Sequence, residues 1–252
     1  MAERGNRELV QSLKQRGLLK TKRVIDAFLK VDRGFFLPLT SNNGNRSQMA
    51  YLDEPVICVP FHLSAPHIYA VGLEALNLSP GMSFLNLGSG TGYLSFLVAM
   101  ITGEEGVNHA VERNPVLVDH SRKACKQHRQ LADLNFIDFQ VGDAFTAADQ
   151  FAHQQKYDRI YVGAGCTVAG LERFQDMLQV GGRMIIPVES ELLCVVRESE
   201  SEFASQALMG VNFLKLIEQP AYVQHLTGSG AGAVVSLAGG GGIGVVVRRI
   251  IT

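Results

Sequence analysis

Three glycines at alternate positions, in Gly88-Ser89-Gly90-Thr91-Gly92, follow the apolar run Phe84-Leu85-Asn86-Leu87 and precede one rich in Leu94, Phe96, Leu97 and Val98. That order reads as strand, loop, helix. A loop lacking Cβ atoms at Gly88 and Gly90 lets a ligand lie against the backbone at the carboxyl edge of a sheet. A dinucleotide fingerprint sets its third glycine one residue further on and cradles a pyrophosphate. The shorter spacing suits the amino-acid end of S-adenosylmethionine, with Asn86, Gly88, Ser89, Gly90 and Gly92 as candidate contacts. Two carboxylates extend the pattern. Glu112 ends the next strand, where an acid can accept hydrogen bonds from both ribose hydroxyls. Asp143 follows the third strand in Val141-Gly142-Asp143 and is placed to receive an adenine amino group. Each acid alone reads better as a solvated turn carboxylate; their position with the glycine loop at successive strand ends argues for a nucleoside-bearing ligand.

Upstream, Ser64-Ala65-Pro66-His67 has the composition of a helix start. As N-cap, Ser64 would accept the His67 N–H, since Pro66 has none, and keep its own proton for a carboxylate ligand. The helix amino terminus would favour the same anion. The plainer reading is a serine that only caps. His67 either steadies a carboxylate or fills the first turn, and His62 either donates to an anion or obstructs the site. Cys166 has no histidine or acid placed to activate it and reads as packing.

The elements that must position these residues alternate regularly. Strands are expected at 84–87, 106–111, 135–141, 157–162 and 183–188, the last preceded by a turn at Gly181-Gly182. Helices lie between them, one opened by Asn114 and Pro115. This is the pattern of an α/β fold with a doubly wound, mainly parallel sheet, Rossmann-like, carrying N-terminal helices at 8–16 and 22–31, the second capped by Thr21. Segments 192–197 and 208–216 lack a helix between them and are expected to pair antiparallel at the sheet edge. Residues 55–63 read as extended and edge-like, and 39–48 as a loop. We expect one domain over 1–226 and a flexible glycine-rich tail over 227–252 in which Val245–Val247 and Ile250–Ile251 retain strand character.

Composition narrows the function. Of the 252 residues 46% are hydrophobic and the net charge is -1, against the basic excess of a general nucleic-acid or membrane-surface binder. Lys20, Lys22, Arg23, Lys30 and Arg33 give the N-terminal helices some positive character, better explained as a solvated face than as an RNA site. No apolar run has spanning length. The four cysteines form no Cys-x-x-Cys pair and the seven histidines no metal-ligand spacing, so no metal site is expected and the cytosol is the default compartment.

The sequence resembles the protein-L-isoaspartate (D-aspartate) O-methyltransferase family. The matching stretches are Val31-Asp32-Arg33, Ser64-Ala65-Pro66-His67, Asn86-Leu87-Gly88-Ser89-Gly90-Thr91-Gly92, Val141-Gly142-Asp143, Tyr157-Asp158-Arg159-Ile160-Tyr161-Val162-Gly163-Ala164 and Gly181-Gly182-Arg183-Met184-Ile185-Ile186-Pro187-Val188. The resemblance implies methyl transfer from S-adenosylmethionine to the carboxylate of isoaspartyl residues in damaged proteins or peptides; a monomer without nucleic-acid or membrane partners is expected. It implies Ser64 as the active-site serine, with His62, Leu63, Ser64, His67, Gly88, Glu112, Asp143 and Ala144 lining the cofactor and substrate site. The family usually has threonine at His62 and aspartate at Asn86. There the chain is more similar to the family's methyltransferase-domain-containing paralogues, thought to act as ubiquitin-ligase substrate receptors. The alternative function is thus a cofactor-binding, catalytically inactive receptor or interaction module.

Overall fold

A computed structural model of the protein describes residues 2–37, 49–58, 60–147 and 155–213. The loop expected at 39–48 and the tail expected at 227–252 lie outside them. Two short strands, β1 (Val56–Cys58) and β2 (Phe61–Leu63), pair antiparallel as a separate hairpin, the extended segment expected there. The remaining strands are β3 (Phe84–Leu87), β4 (Asn108–Glu112), β5 (Asp138–Val141), β6 (Tyr157–Val162), β7 (Leu178–Val188), β8 (Glu191–Arg197) and β9 (Phe203–Gly210). They form one sheet in the order β5-β4-β3-β6-β7-β8-β9, parallel from β5 to β7 and antiparallel at the last two pairings. The chain steps from β3 outward to β5, then returns to lay β6 on the other flank of β3. That reversal opens a crevice at the carboxyl ends of β3 and β6, where doubly wound sheets bind ligands.

Both faces of the sheet's centre are covered, so its central strands β3, β6 and the second half of β7 are mostly apolar. Leu85, Leu87, Ile160, Val162, Met184 and Ile186 pack on one side. Phe84, Tyr161 and Ile185, which alternate with them, join the other side with the helices Pro66–Leu76 and Tyr93–Thr102. The first helices, Ala2–Gln15 and Lys22–Lys30, complete this second layer through Leu13, Val24 and Phe28.

Three local expectations need correction. Thr21 stands at the N-cap position but makes no side-chain cap; its hydroxyl donates to Glu74 Oε2 at 2.6 Å. Gly181-Gly182 is a kink inside β7, not a turn before it: the register against β6 jumps from Tyr157–Leu178 to Arg159–Arg183, with Gly181 at φ +80°. The edge partner of β8 is 203–210, not 208–216. Its side chains are mostly exposed and give no apolar run to read.

Candidate active site

The glycine loop leaves β3 with Gly88 at φ +75° and Gly90 at φ +56°, conformations that favour glycine. Opposite it, a Cβ on Gly163 would stand 2.3 Å from the Gly88 carbonyl oxygen, so the loops after β3 and β6 touch through a residue without a side chain. The Gly163 N–H also donates to Leu87 O at 2.7 Å.

Glu112 ends β4, 8% exposed. Its Oε2 accepts the Gly90 N–H at 3.0 Å and its Oε1 the Asn114 N–H at 2.9 Å. A carboxylate has about four lone-pair directions, so each oxygen keeps capacity for a hydroxyl. Asp143, just past β5, caps the helical turn 144–147 by accepting the Phe145 N–H on Oδ1 at 2.9 Å. Its Oδ2 has no protein partner among the described residues. Both acids therefore hold the fold and present acceptors at once.

These groups enclose a cavity of about 220 Å³. Of the residues singled out in the sequence, His62, Ser64, Asn86, Gly88, Ser89, Gly90, Glu112, Asp143 and Ala144 line it. Leu63, Gly92 and His67 do not. Leu63 is a fully buried core side chain. Gly92 is excluded by packing, since a Cβ there would stand 2.8 Å from Ser121 Oγ. His67 faces a neighbouring cavity. Sequence reasoning missed Tyr69, Tyr161 and Gly163 on the lining. Tyr161 pairs with Asn86 in register across β6 and β3, so period-two alternation places both on one face.

The lining contains buried polar atoms without partners among the described residues: Asn86 Oδ1, Ser89 Oγ and Tyr161 Oη. The Asn86 amide nitrogen is already spent on Ser95 Oγ, at 2.9 Å. Buried polar groups are ordinarily paired, so this floor is built for a polar occupant. An adenosine carrying an amino-acid arm fits the donor and acceptor set along the edge. Asp143 lies after β5 and Glu112 after β4, while Asn86 and Tyr161 flank the glycine loop on β3 and β6.

Ser64 sits differently from expectation. The helix Pro66–Leu76 has Ala65, not Ser64, at its N-cap, because Pro66 occupies the first helical position. The His67 N–H goes to Asp53 Oδ1 at 2.8 Å. Asp53 thus already places a negative charge at that helix end, balanced by its ion pair with Arg16. The helix terminus is not open to a second anion. Ser64 is held by its own N–H, which donates to Tyr69 Oη at 3.1 Å; its hydroxyl meets no partner among the described residues. It faces the cavity unengaged.

His62 reaches the same wall. Burial, and then the positive charge of Arg33, push its pKa below the usual imidazole value, so the ring is uncharged at neutral pH. Arg33 itself is fully buried beneath, its guanidinium 5.8 Å from the Tyr93 ring centroid. Burial pushes the Cys166 thiol up to about 12, in keeping with a packing role.

The fold and crevice define the doubly wound class that binds a nucleoside-bearing ligand at its topological switch point. Comparison with known proteins narrows this. The family described as protein-L-isoaspartate(D-aspartate) O-methyltransferase matches residues 3–221. A Methanothermobacter thermautotrophicus protein-L-isoaspartate O-methyltransferase is 34% identical over 87% of this chain and 98% of its own. Protein-L-isoaspartate O-methyltransferase 2 of Arabidopsis thaliana is 38% identical over 73% of this chain, which spans 58% of that longer protein. Among solved structures, a protein-L-isoaspartate O-methyltransferase from Plasmodium falciparum in complex with S-adenosyl-L-homocysteine superposes with a TM-score of 0.69, at 25% identity, covering 83% of this chain and 96% of the other. The chain belongs to the protein-L-isoaspartate (D-aspartate) O-methyltransferase family.

Proposed function

We propose that the protein is a protein-L-isoaspartate (D-aspartate) O-methyltransferase, moving a methyl group from S-adenosylmethionine to the carboxylate of isoaspartyl residues in damaged proteins. The observation that carries this reading is the unengaged Ser64 hydroxyl on the wall of the cavity formed by the glycine loop, Glu112 and Asp143. Membership of the family and the match over 98% of the Methanothermobacter relative support it. No feature of the site among the described residues favours a binding-only role.

In this reading S-adenosylmethionine supplies an electrophilic methyl group, and the protein supplies position. Glu112 holds the ribose hydroxyls and Asp143 the adenine amino group through Oδ2. Asn86 Oδ1, Ser89 Oγ and Tyr161 Oη take the polar amino-acid arm. The acceptor carboxylate, which ordinarily titrates at about 3.9, is ionised at neutral pH and needs no general base. Ser64 donates its hydroxyl proton to one carboxylate oxygen and orients the other. Tyr69 fixes the Ser64 backbone, and the uncharged His62 closes the wall. Such positioning is worth several kcal/mol, up to ~10 in ideal cases. Among the described residues no helix is long and apolar enough to cross a membrane. We read the chain as a cytosolic monomer; its near-neutral charge lacks the basic excess of a nucleic-acid binder, and the free Cys125, Cys166 and Cys194 suit a reducing compartment.

Radiolabelled methyl transfer to an isoaspartyl peptide and to its normal aspartyl twin tests the reading. Label should enter only the first. Ser64→Ala should lower turnover by one to two orders of magnitude while affinity for S-adenosylhomocysteine, by calorimetry, stays near wild type. Wild-type protein that labels neither peptide, or a Ser64→Ala variant with full turnover, would count against it.

A further inference from the structure

Beside the cofactor cavity lies a second, of about 400 Å³, which shares His62 and Ser64 with it. Its far wall is apolar: Ile57 on β1, Ile68 on the following helix, and Val211 and Phe213 beyond β9. Its further polar side chains are Asn212, beyond β9, and His67, and the direction of His67 is fixed from behind. Asp53 Oδ1 takes the His67 backbone N–H at 2.8 Å and meets the ring Nδ1 at 2.9 Å, while Asp53 Oδ2 pairs with Arg16. Burial raises the Asp53 pKa, but the hydrogen bonds from Arg16 and His67 outweigh it and keep the group ionised. An ionised carboxylate can only accept, so the ring proton must sit on Nδ1. With Nδ1 as the donor to Asp53, the neutral tautomer of the ring presents a bare lone pair on Nε2, which has no protein partner among the described residues.

A lone pair repels a carboxylate and seeks an N–H. The substrate carries one close to its carboxylate. In an isoaspartyl residue the free carboxylate and the main-chain nitrogen share one carbon. In a normal aspartyl residue the side-chain carboxylate lies one methylene further from that nitrogen. Ser64 and His67, three residues apart at the entry to one helix, both line this cavity and offer it a donor and an acceptor. We propose that His67 Nε2 receives the isoaspartyl residue's own main-chain N–H while Ser64 holds its carboxylate, so that the pair measures the spacing that distinguishes damaged from normal linkage. The apolar wall takes the adjoining stretch of the same peptide. The proposal rests on the methyltransferase reading, which supplies the substrate, and His67 acts in it as a specificity-determining binding residue.

The test uses three isoaspartyl peptides: the parent, one N-methylated on the isoaspartyl nitrogen, and one N-methylated on the following amide. Each is measured with wild-type and His67→Ala protein, by fluorescence anisotropy with S-adenosylhomocysteine bound and by kcat/KM for methyl transfer. Methylating the isoaspartyl nitrogen should weaken binding to wild type roughly tenfold, the scale of one good hydrogen bond. Methylating the following amide should change little. His67→Ala should lose about the same factor on the parent peptide and nothing more on N-methylation, with S-adenosylhomocysteine affinity unchanged. A histidine that merely packs would not couple to a substitution on the substrate. Equal N-methyl losses in wild type and variant, equal losses at the two amides, or no loss at all would overturn the proposal while leaving the methyltransferase reading intact, provided the parent peptide is methylated. Wild-type protein that neither binds nor methylates the parent overturns both.

Discussion

At the scale of single residues, His62 shows how an environment selects among chemically reasonable roles. Histidine type alone permits a cation that attracts a carboxylate. Burial and the Arg33 charge hold this ring neutral, which removes that role. The sign of the pH dependence follows. Because the folded-state pKa is depressed, the neutral ring is retained above about 6.5 and is lost only as pH falls through the lower folded value. We expect kcat/KM on an isoaspartyl peptide to be flat from about pH 6.5 to 8 and to fall on the acid side, and His62→Thr to flatten that fall. A decline on raising pH through about 6.5 would restore the imidazolium. Much of the site was legible at this scale, because glycine spacing and strand-end carboxylates are local signals. Ser64 was legible as important but misread as a cap. The correction was available in Pro66, which takes the first helical position and so pushes the cap to Ala65. The actual partner of His67, Asp53, lies fourteen residues upstream and follows no local rule.

At the scale of elements, the site depends on two loops that touch. The contact between Gly163 and the Gly88 carbonyl leaves no room for a methyl group. Gly163→Ala should therefore push the β3 and β6 loops apart, lowering stability by about 1–3 kcal/mol as overpacking does. A urea unfolding curve should show a lower midpoint at unchanged slope, and affinity for S-adenosylhomocysteine should fall with it. An unchanged midpoint would mean the loops are not under this constraint. The parallel strands were readable as apolar runs bounded by turn residues, since burial on both faces leaves little choice of side chain. β7 and β9 were misjudged for opposite reasons. The glycine pair suggested a boundary where the strand only kinks. β9 is mostly exposed, and only Phe203, Leu208 and Met209 pack on the core, at no regular spacing.

At the scale of the whole molecule, folding and ligand binding are linked by mass action. A ligand at a hundred times its dissociation constant stabilises the bound fold by about 2.7 kcal/mol. For a chain of this size that corresponds to a rise in Tm of about 5–11 °C. S-adenosylhomocysteine should give a shift of this order in a thermal melt. Glu112→Ala should remove most of it, because each charge-assisted hydrogen bond to the ribose is worth about 1.5–3 kcal/mol. The same variant also frees the Gly90 and Asn114 N–H groups, so the melt without ligand must be measured beside it. A Glu112→Ala protein with the full ligand shift would move the ribose elsewhere.

The far edge of the sheet obeys a parity rule. β8 runs against β7 and β9 runs against β8, so two inversions cancel and β9 points the same way as β3. Its last residues are thereby delivered to the edge that carries the glycine loop, and Val211 and Phe213 reach the wall of the second cavity. An odd number of inversions would have sent the same segment to the opposite edge of the sheet. The composition of the peptide-facing wall is thus set by a count of strands whose own side chains never enter it.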